Sequence, residues 1–124
     1  KYLKSEEFKK KVKSEDIFLI VGIVSDSDAE SYKRQPIICQ EDRVEIMKYN
    51  KLVDKIIFPC PLSVNKNFIT ENNIDLVVHG FSNDEDFNNQ YKFFEEIIKM
   101  NKFMKTTYYS KISTTDIIKK IKNL

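Results

Sequence analysis

Apolar and polar positions fall into blocks along this chain, and the blocks switch between a helical and an extended period. Leu3, Phe8 and Val12 stand among lysines and glutamates at a spacing that brings several onto one helical face, so a helix is expected over 2–12. Asp16 to Val24 then gives an unalternating β-branched run, the pattern of a central strand covered on both faces in a parallel sheet. Ser25-Asp26-Ser27-Asp28 supplies turn and N-cap chemistry, and Glu41 to Tyr49 reads as a helix whose Val44, Ile46 and Met47 face that sheet. A second strand is expected from Val53 to Phe58, stopped by Pro59-Cys60-Pro61 because prolines cannot continue a ladder.

Further on, Asn65 to Asn72 predicts a short helix, and Ile74 to Gly80 a third strand that ends in His79. The polar, acidic stretch from Phe81 to Asn89 reads as a loop. Tyr91, Phe94, Ile97 and Ile98 mark a helical stripe over 90–100, and Ser113-Thr114-Thr115-Asp116 forms a capping box in its S-x-x-D form. The helix it opens should turn Ile117, Ile118 and Ile121 inward. Strands alternating with helices mean βαβ units, hence an α/β fold with a mostly parallel sheet and helices on both faces. Ligands of such sheets bind beyond the C-terminal strand ends, where Ser25-Asp26, Pro59-Cys60-Pro61 and His79-Gly80 all fall.

Composition narrows this picture. With 124 residues and 41% hydrophobic content, one domain over 1–124 is expected. Lys and Arg (21) nearly cancel Asp and Glu (19), and the net charge of +2 argues against a nucleic-acid partner, which calls for a concentrated basic excess. Gly22 and Gly80 lie too far apart to form an intact P-loop, and a single histidine excludes a multi-histidine zinc site. Cys39 and Cys60, 21 positions apart, offer no CxxC and read as two reduced, partly buried thiols. No apolar run approaches the ~18 residues of a membrane span, and Lys9, Lys10 and Lys11 follow an acidic stretch instead of preceding an apolar one. A cytoplasmic setting is the expectation.

Four groups of residues carry candidate chemistry. His79, next to Gly80 at a strand end, is placed to contact a phosphate or a base, or else to bond a neighbouring loop. Ser113, Thr114 and Thr115 open a helix where free N–H groups and the macrodipole favour an anion, a place that plain capping also explains. Lys33, with Arg34 beside it, follows the turn after the first strand and could reach the same edge, although a solvated lysine has the same sequence signature. Asp26, Asp28 and the Asp84-Glu85-Asp86 run could recruit a cation, but solvated loop acids suit them better, and no residue is assigned to a protein-held metal.

Six segments in order, V-G-I-V-S-D, Y-K-R-Q-P-I, Q-E-D-R-V-E-I-M-K, L-V-D-K-I-I-F-P-C-P, I-D-L-V-V-H-G and I-S-T-T-D-I-I, resemble the cytidylyltransferases of phospholipid synthesis over about residues 17–124. H-G after the third strand, and a proline two positions beyond the usual K-G, look more like the phosphoethanolamine branch, whereas F-P-C-P leans toward the phosphocholine branch. The resemblance implies a Rossmann-like nucleotidyltransferase fold and attack of a phosphorylated amino-alcohol on the α-phosphate of CTP, with Mg2+ accompanying the nucleotide. It assigns Lys33 to a phosphate contact, His79 to the substrate edge, and Ser113, Thr114 and Thr115 to the helix start that holds the triphosphate.

The departures are as specific as the matches. The H-x-G-H motif of the family does not occur in this sequence, and the resemblance places it, with the first strand, before Lys1. Tyr108 stands where the phosphate-binding arginine is expected, Lys111 where a glycine is, and Arg34 replaces the glycine after the lysine. Lys111 restores one positive charge at the phosphate site without the bidentate fork of an arginine. Losses inside the chain point to the second, catalytically weakened domain of a tandem phosphoethanolamine enzyme. A twin domain or a second copy is then the expected protein partner, and regulatory support of an active twin the alternative to catalysis.

Overall fold

The computed structural model describes residues 1–106 and 114–124. They form two compact units, Lys1–Leu62 and Ser63–Leu124.

In the first unit a 3-10 turn over Tyr2–Lys4 leads into α1 (Glu6–Val12), and Ser5 separates them by accepting the Phe8 N–H at 3.2 Å. The expected continuous helix is thus two pieces, because a capping serine ends one and starts the next. Phe8 is the buried residue of α1. Strand β1 (Ile20–Gly22) pairs in parallel with β2 (Lys55–Ile57), Val21 lying opposite Ile56. Both strands are shorter than their apolar runs, since the ladder extends only as far as each has a partner, and Phe18 is left 68% exposed. Between them lie α2 (Asp26–Glu30), capped by the Ser25 hydroxyl at 3.2 Å from the Asp28 nitrogen, and α3 (Gln40–Lys48). Val44 and Met47 are half-buried, whereas Ile46, expected to face the sheet, points to solvent. This is the predicted βαβ unit.

In the second unit α4 (Lys66–Glu71) is capped by Asn65, whose side chain accepts the Phe68 N–H at 2.9 Å, and buries Ile69. Strand β3 (Val77–Gly80) runs parallel to β4 (Phe103–Thr106), with α5 (Asp84–Lys99) as the crossover. Two sequence expectations change here. The acidic stretch after Phe81 is not all loop: Asp84, Glu85 and Asp86 form the first turn of α5, where the macrodipole favours negative charge, behind the N-cap Asn83. Strand β4 had no counterpart in the sequence pattern, because four residues with one exposed lysine acquire strand geometry only from their pairing with β3.

Phe93, Phe94 and Ile97 of α5 are buried, so its apolar stripe is the core-facing surface of this unit. Helix α6 (Thr114–Lys122) closes the described chain. Its isoleucines were expected inside, yet Ile117 is 39% and Ile121 62% exposed, and Ile118 is half-buried. Helices and parallel strand pairs alternate as expected of an α/β, Rossmann-like nucleotidyltransferase fold. Among the described residues the strands form two pairs, where one continuous sheet was expected.

Candidate functional site

The second unit places its one histidine at the penultimate residue of β3, half-buried and in register with Lys105 of β4. Paired residues of neighbouring parallel strands share a face, so His79 and Lys105 lie side by side, as do Val77 and Phe103. That face carries an aromatic cluster. The His79 ring lies 4.8 Å from Phe81 and 5.1 Å from Phe94, and Phe94 is 4.9 Å from Phe103. Phe81 also meets Phe87 edge-on at 5.0 Å, and the Lys105 ammonium sits 4.2 Å above the Phe87 ring. The imidazole is thus wedged by rings on a strand end that also carries a lysine, an arrangement able to present positive charge to an anion.

The turn after His79 is tied down by Asp86. Its carboxylate accepts the Ser82 N–H at 3.0 Å, the Ser82 hydroxyl at 3.2 Å and the Gln90 amide at 2.7 Å, while its own N–H donates to Asn83 at 2.8 Å. Burial pushes the Asp86 carboxyl up, but the hydrogen bonds from Ser82 and Gln90 and the nearby His79 charge outweigh it and hold the group below the usual carboxylate range. From the sequence Asp86 reads as a solvated loop acid that could also recruit a cation. The Asn83-x-x-Asp86 spacing, a capping-box variant, is the signal that could have found its role.

The other nominated residues fall elsewhere. Lys33 belongs to the first unit, is exposed, and follows α2 with its ammonium 5.3 Å from the centre of the Tyr32 ring. Thr114 and Thr115 are exposed in the first turn of α6, while Tyr108, Lys111 and Ser113 lie outside the described residues. Cys60 is buried, and burial pushes its thiol up, but Cys39 is exposed and not the half-buried thiol that was expected; both are free.

Asp26, at the C-terminal side of β1, is a structural acid and not a cation ligand. Its carboxylate accepts the Arg43 guanidinium at 2.7 Å and the Gln40 N–H at 3.1 Å, and the Gln40 side chain accepts the Asp26 N–H at 2.9 Å. Cys39, the N-cap of α3, makes no side-chain capping bond, so Asp26 satisfies the start of that helix from another element. Arg43 first, then Gln40, holds the Asp26 carboxyl below its ordinary value. A carboxyl depressed in the folded state contributes stability that is present above its unfolded value of about 3.9 and is lost as pH falls through the folded one. Asp26→Asn should therefore lower the urea midpoint at pH 7, with the gap to the parent closing below about pH 4. A gap that persists unchanged at pH 2 would assign the loss to packing instead of charge.

Among the described residues no group of three His, Cys, Asp or Glu is arranged to hold a metal ion, and no helix is long and apolar enough to cross a membrane. The cytidylyltransferase-like family model matches residues 5–120. Yeast choline-phosphate cytidylyltransferase is 31% identical over 110 residues, 86% of this chain and 25% of that protein. Choline-phosphate cytidylyltransferase 2 of Arabidopsis thaliana is 30% identical over 108 residues, 84% of this chain and 34% of its own length. Ethanolamine-phosphate cytidylyltransferase of the mouse is 28% identical over 105 residues, 82% of this chain and 25% of its own. The chain thus spans a quarter to a third of these relatives.

Proposed function

We propose, since the chain belongs to the cytidylyltransferase-like family, that it is the nucleotide-binding part of an enzyme that transfers CMP from CTP to a phosphorylated amino-alcohol, phosphoethanolamine. In this reading a phosphate oxygen of the acceptor attacks the α-phosphorus of CTP, and the bond from that phosphorus to the α,β-bridging oxygen breaks, the oxygen leaving with the β- and γ-phosphates as pyrophosphate. Little of this needs covalent help from the protein; positioning and neutralisation of charge on the phosphates carry it.

His79 at the end of β3 is the observation on which the reading rests. Its ring, held by Phe81 and Phe94 beside Lys105, would donate to a phosphate oxygen. Thr114 and Thr115, with Ser113, would offer hydroxyls and N–H groups to the triphosphate and Lys111 its counter-charge; Lys33, in the first unit, is proposed separately as a phosphate contact, and Mg2+ would arrive on CTP itself. The H-G pair at 79–80 favours phosphoethanolamine, while the identities to choline-phosphate enzymes favour phosphocholine as the acceptor to test beside it. Two free thiols suit a reducing, cytoplasmic setting.

A second reading, a domain that binds CTP and supports a catalytic twin without turnover, is favoured by Tyr108 and Lys111 at the arginine and glycine positions of the family signature. One titration series separates these possibilities. Calorimetry should detect CTP binding that ATP does not displace, and His79→Gln should weaken it about tenfold, the loss of one charge-assisted hydrogen bond. Turnover of CTP with phosphoethanolamine supports the enzyme. Binding without turnover supports the helper domain, and displacement by ATP, or no binding at all, overturns both.

A further inference from the structure

We infer that Asp86 is the positioning residue of His79, fixing the imidazole at the end of β3 through the Ser82 clamp and setting a negative charge on the turn that follows it. The inference deepens the reading of His79 as a phosphate contact and rests on it only for its functional consequence. All the groups concerned belong to the second unit.

The mechanical link is short. Asp86 accepts both the backbone N–H and the hydroxyl of Ser82, at 3.0 and 3.2 Å, so the residue after Phe81 cannot swing. Phe81 is itself buried, packs 4.8 Å from the His79 ring on one side and meets Phe87, the neighbour of Asp86 on α5, on the other. Displacing Asp86 therefore releases the ring that wedges the imidazole. Gln90, one turn further along α5, donates to the other carboxylate oxygen at 2.7 Å and holds the carboxylate against rotation.

The electrostatic link runs in the same direction. Lys105 is in register with His79 on β4, and its positive charge alone would oppose a cationic imidazole. Asp86 on α5 supplies the opposite sign and is held ionised by its own hydrogen bonds. Asp84 and Glu85, exposed in the same first turn of α5, add negative charge at longer range.

The chain contains one histidine, so its Cε1–H resonance reports His79 without assignment. Asp86→Asn keeps an oxygen for Ser82 and removes the charge. The midpoint of the His79 titration should fall in this variant, and Asp86→Glu should recover part of it. Asp86→Ala, which also loses the Ser82 clamp, should move the ring resonance at fixed pH as well. An unmoved midpoint in Asp86→Asn, in a protein whose amide spectrum is otherwise preserved, overturns the inference and leaves Asp86 as a helix cap. With CTP added, Asp86→Asn should weaken binding by a few-fold. A shifted midpoint with CTP affinity unchanged in both Asp86→Asn and His79→Gln supports the positioning role and overturns the nucleotide reading.

Discussion

Replacing Ile97 by alanine should lower the stability of the chain by about 2 to 5 kcal/mol, the range for a buried aliphatic side chain cut back to a methyl. Ile97 is 0% exposed on the core-facing stripe of α5, beside Phe93 and Phe94. Its loss removes burial and leaves a cavity that two phenylalanine rings, flat and rotamer-bound, fill poorly. Since domains of this size are stable by about 5 to 15 kcal/mol, a loss of about 5 would unfold much of the population where the parent lies at the low end of that stability range. Ile121→Ala is the matching control: it deletes the same atoms from a position 62% exposed and should change stability by less than about 0.5 kcal/mol. Urea midpoints of the two variants test this directly. Equal losses would mean that α6 is covered in solution and that burial along α5 does not dominate the second unit.

The contrast between these two isoleucines shows what a sequence makes legible. Both lie on apolar stripes of helical period, and the stripe of α5 faces the core as its spacing implies. The stripe of α6 has the same period and is largely exposed, because periodicity records which residues share a face and not whether another element covers it. Local chemistry is legible in part: a short helix follows Asn65 and Gly80 ends β3 as the sequence implies, whereas α2, which Ser25 caps, falls where only turn and N-cap chemistry is expected. Where a partner distant in sequence decides the outcome, the reading fell short. The ends of β1 and β2, the existence of β4 and the placement of Lys105 beside His79 all depend on strand register. Polarity misled at 84–86, where acids that resemble a loop are stabilised by the helix start they occupy.

The candidate site divides along the same line. The placement of His79 at a strand end is legible because it is set by local features. Asp86 and the aromatic wedge are not, because they reach His79 through a turn and a helix whose geometry is set by packing. Arg43 was likewise silent in the sequence, although it converts Asp26 from a possible cation ligand into the anchor of α3.

At Gly22 the conflict between two opposing effects can be decided by magnitude. A glycine at a strand end usually gains from replacement by alanine, by about 0.4 to 1 kcal/mol, through the reduced freedom of the unfolded chain. Here an added Cβ would lie 2.6 Å from the Cys60 sulfur and 3.2 Å from its Cβ. The sulfur cannot withdraw easily: Cys60 is 8% exposed, and its backbone N–H is fixed to the Ile23 carbonyl at 2.8 Å. Overpacking of this kind costs about 1 to 3 kcal/mol, so the clash outweighs the entropic gain and Gly22→Ala should be destabilising. Cys60→Ala removes the sulfur and leaves only the 3.2 Å contact, which a shift of a few tenths of an ångström relieves. The double variant should therefore be more stable than the sum of the two single losses predicts, with a coupling of about 0.5 to 3 kcal/mol in a cycle of urea midpoints. Strict additivity would show that Gly22 and Cys60 do not touch in solution, and that the turn after β2 does not close on β1 as the structure has it.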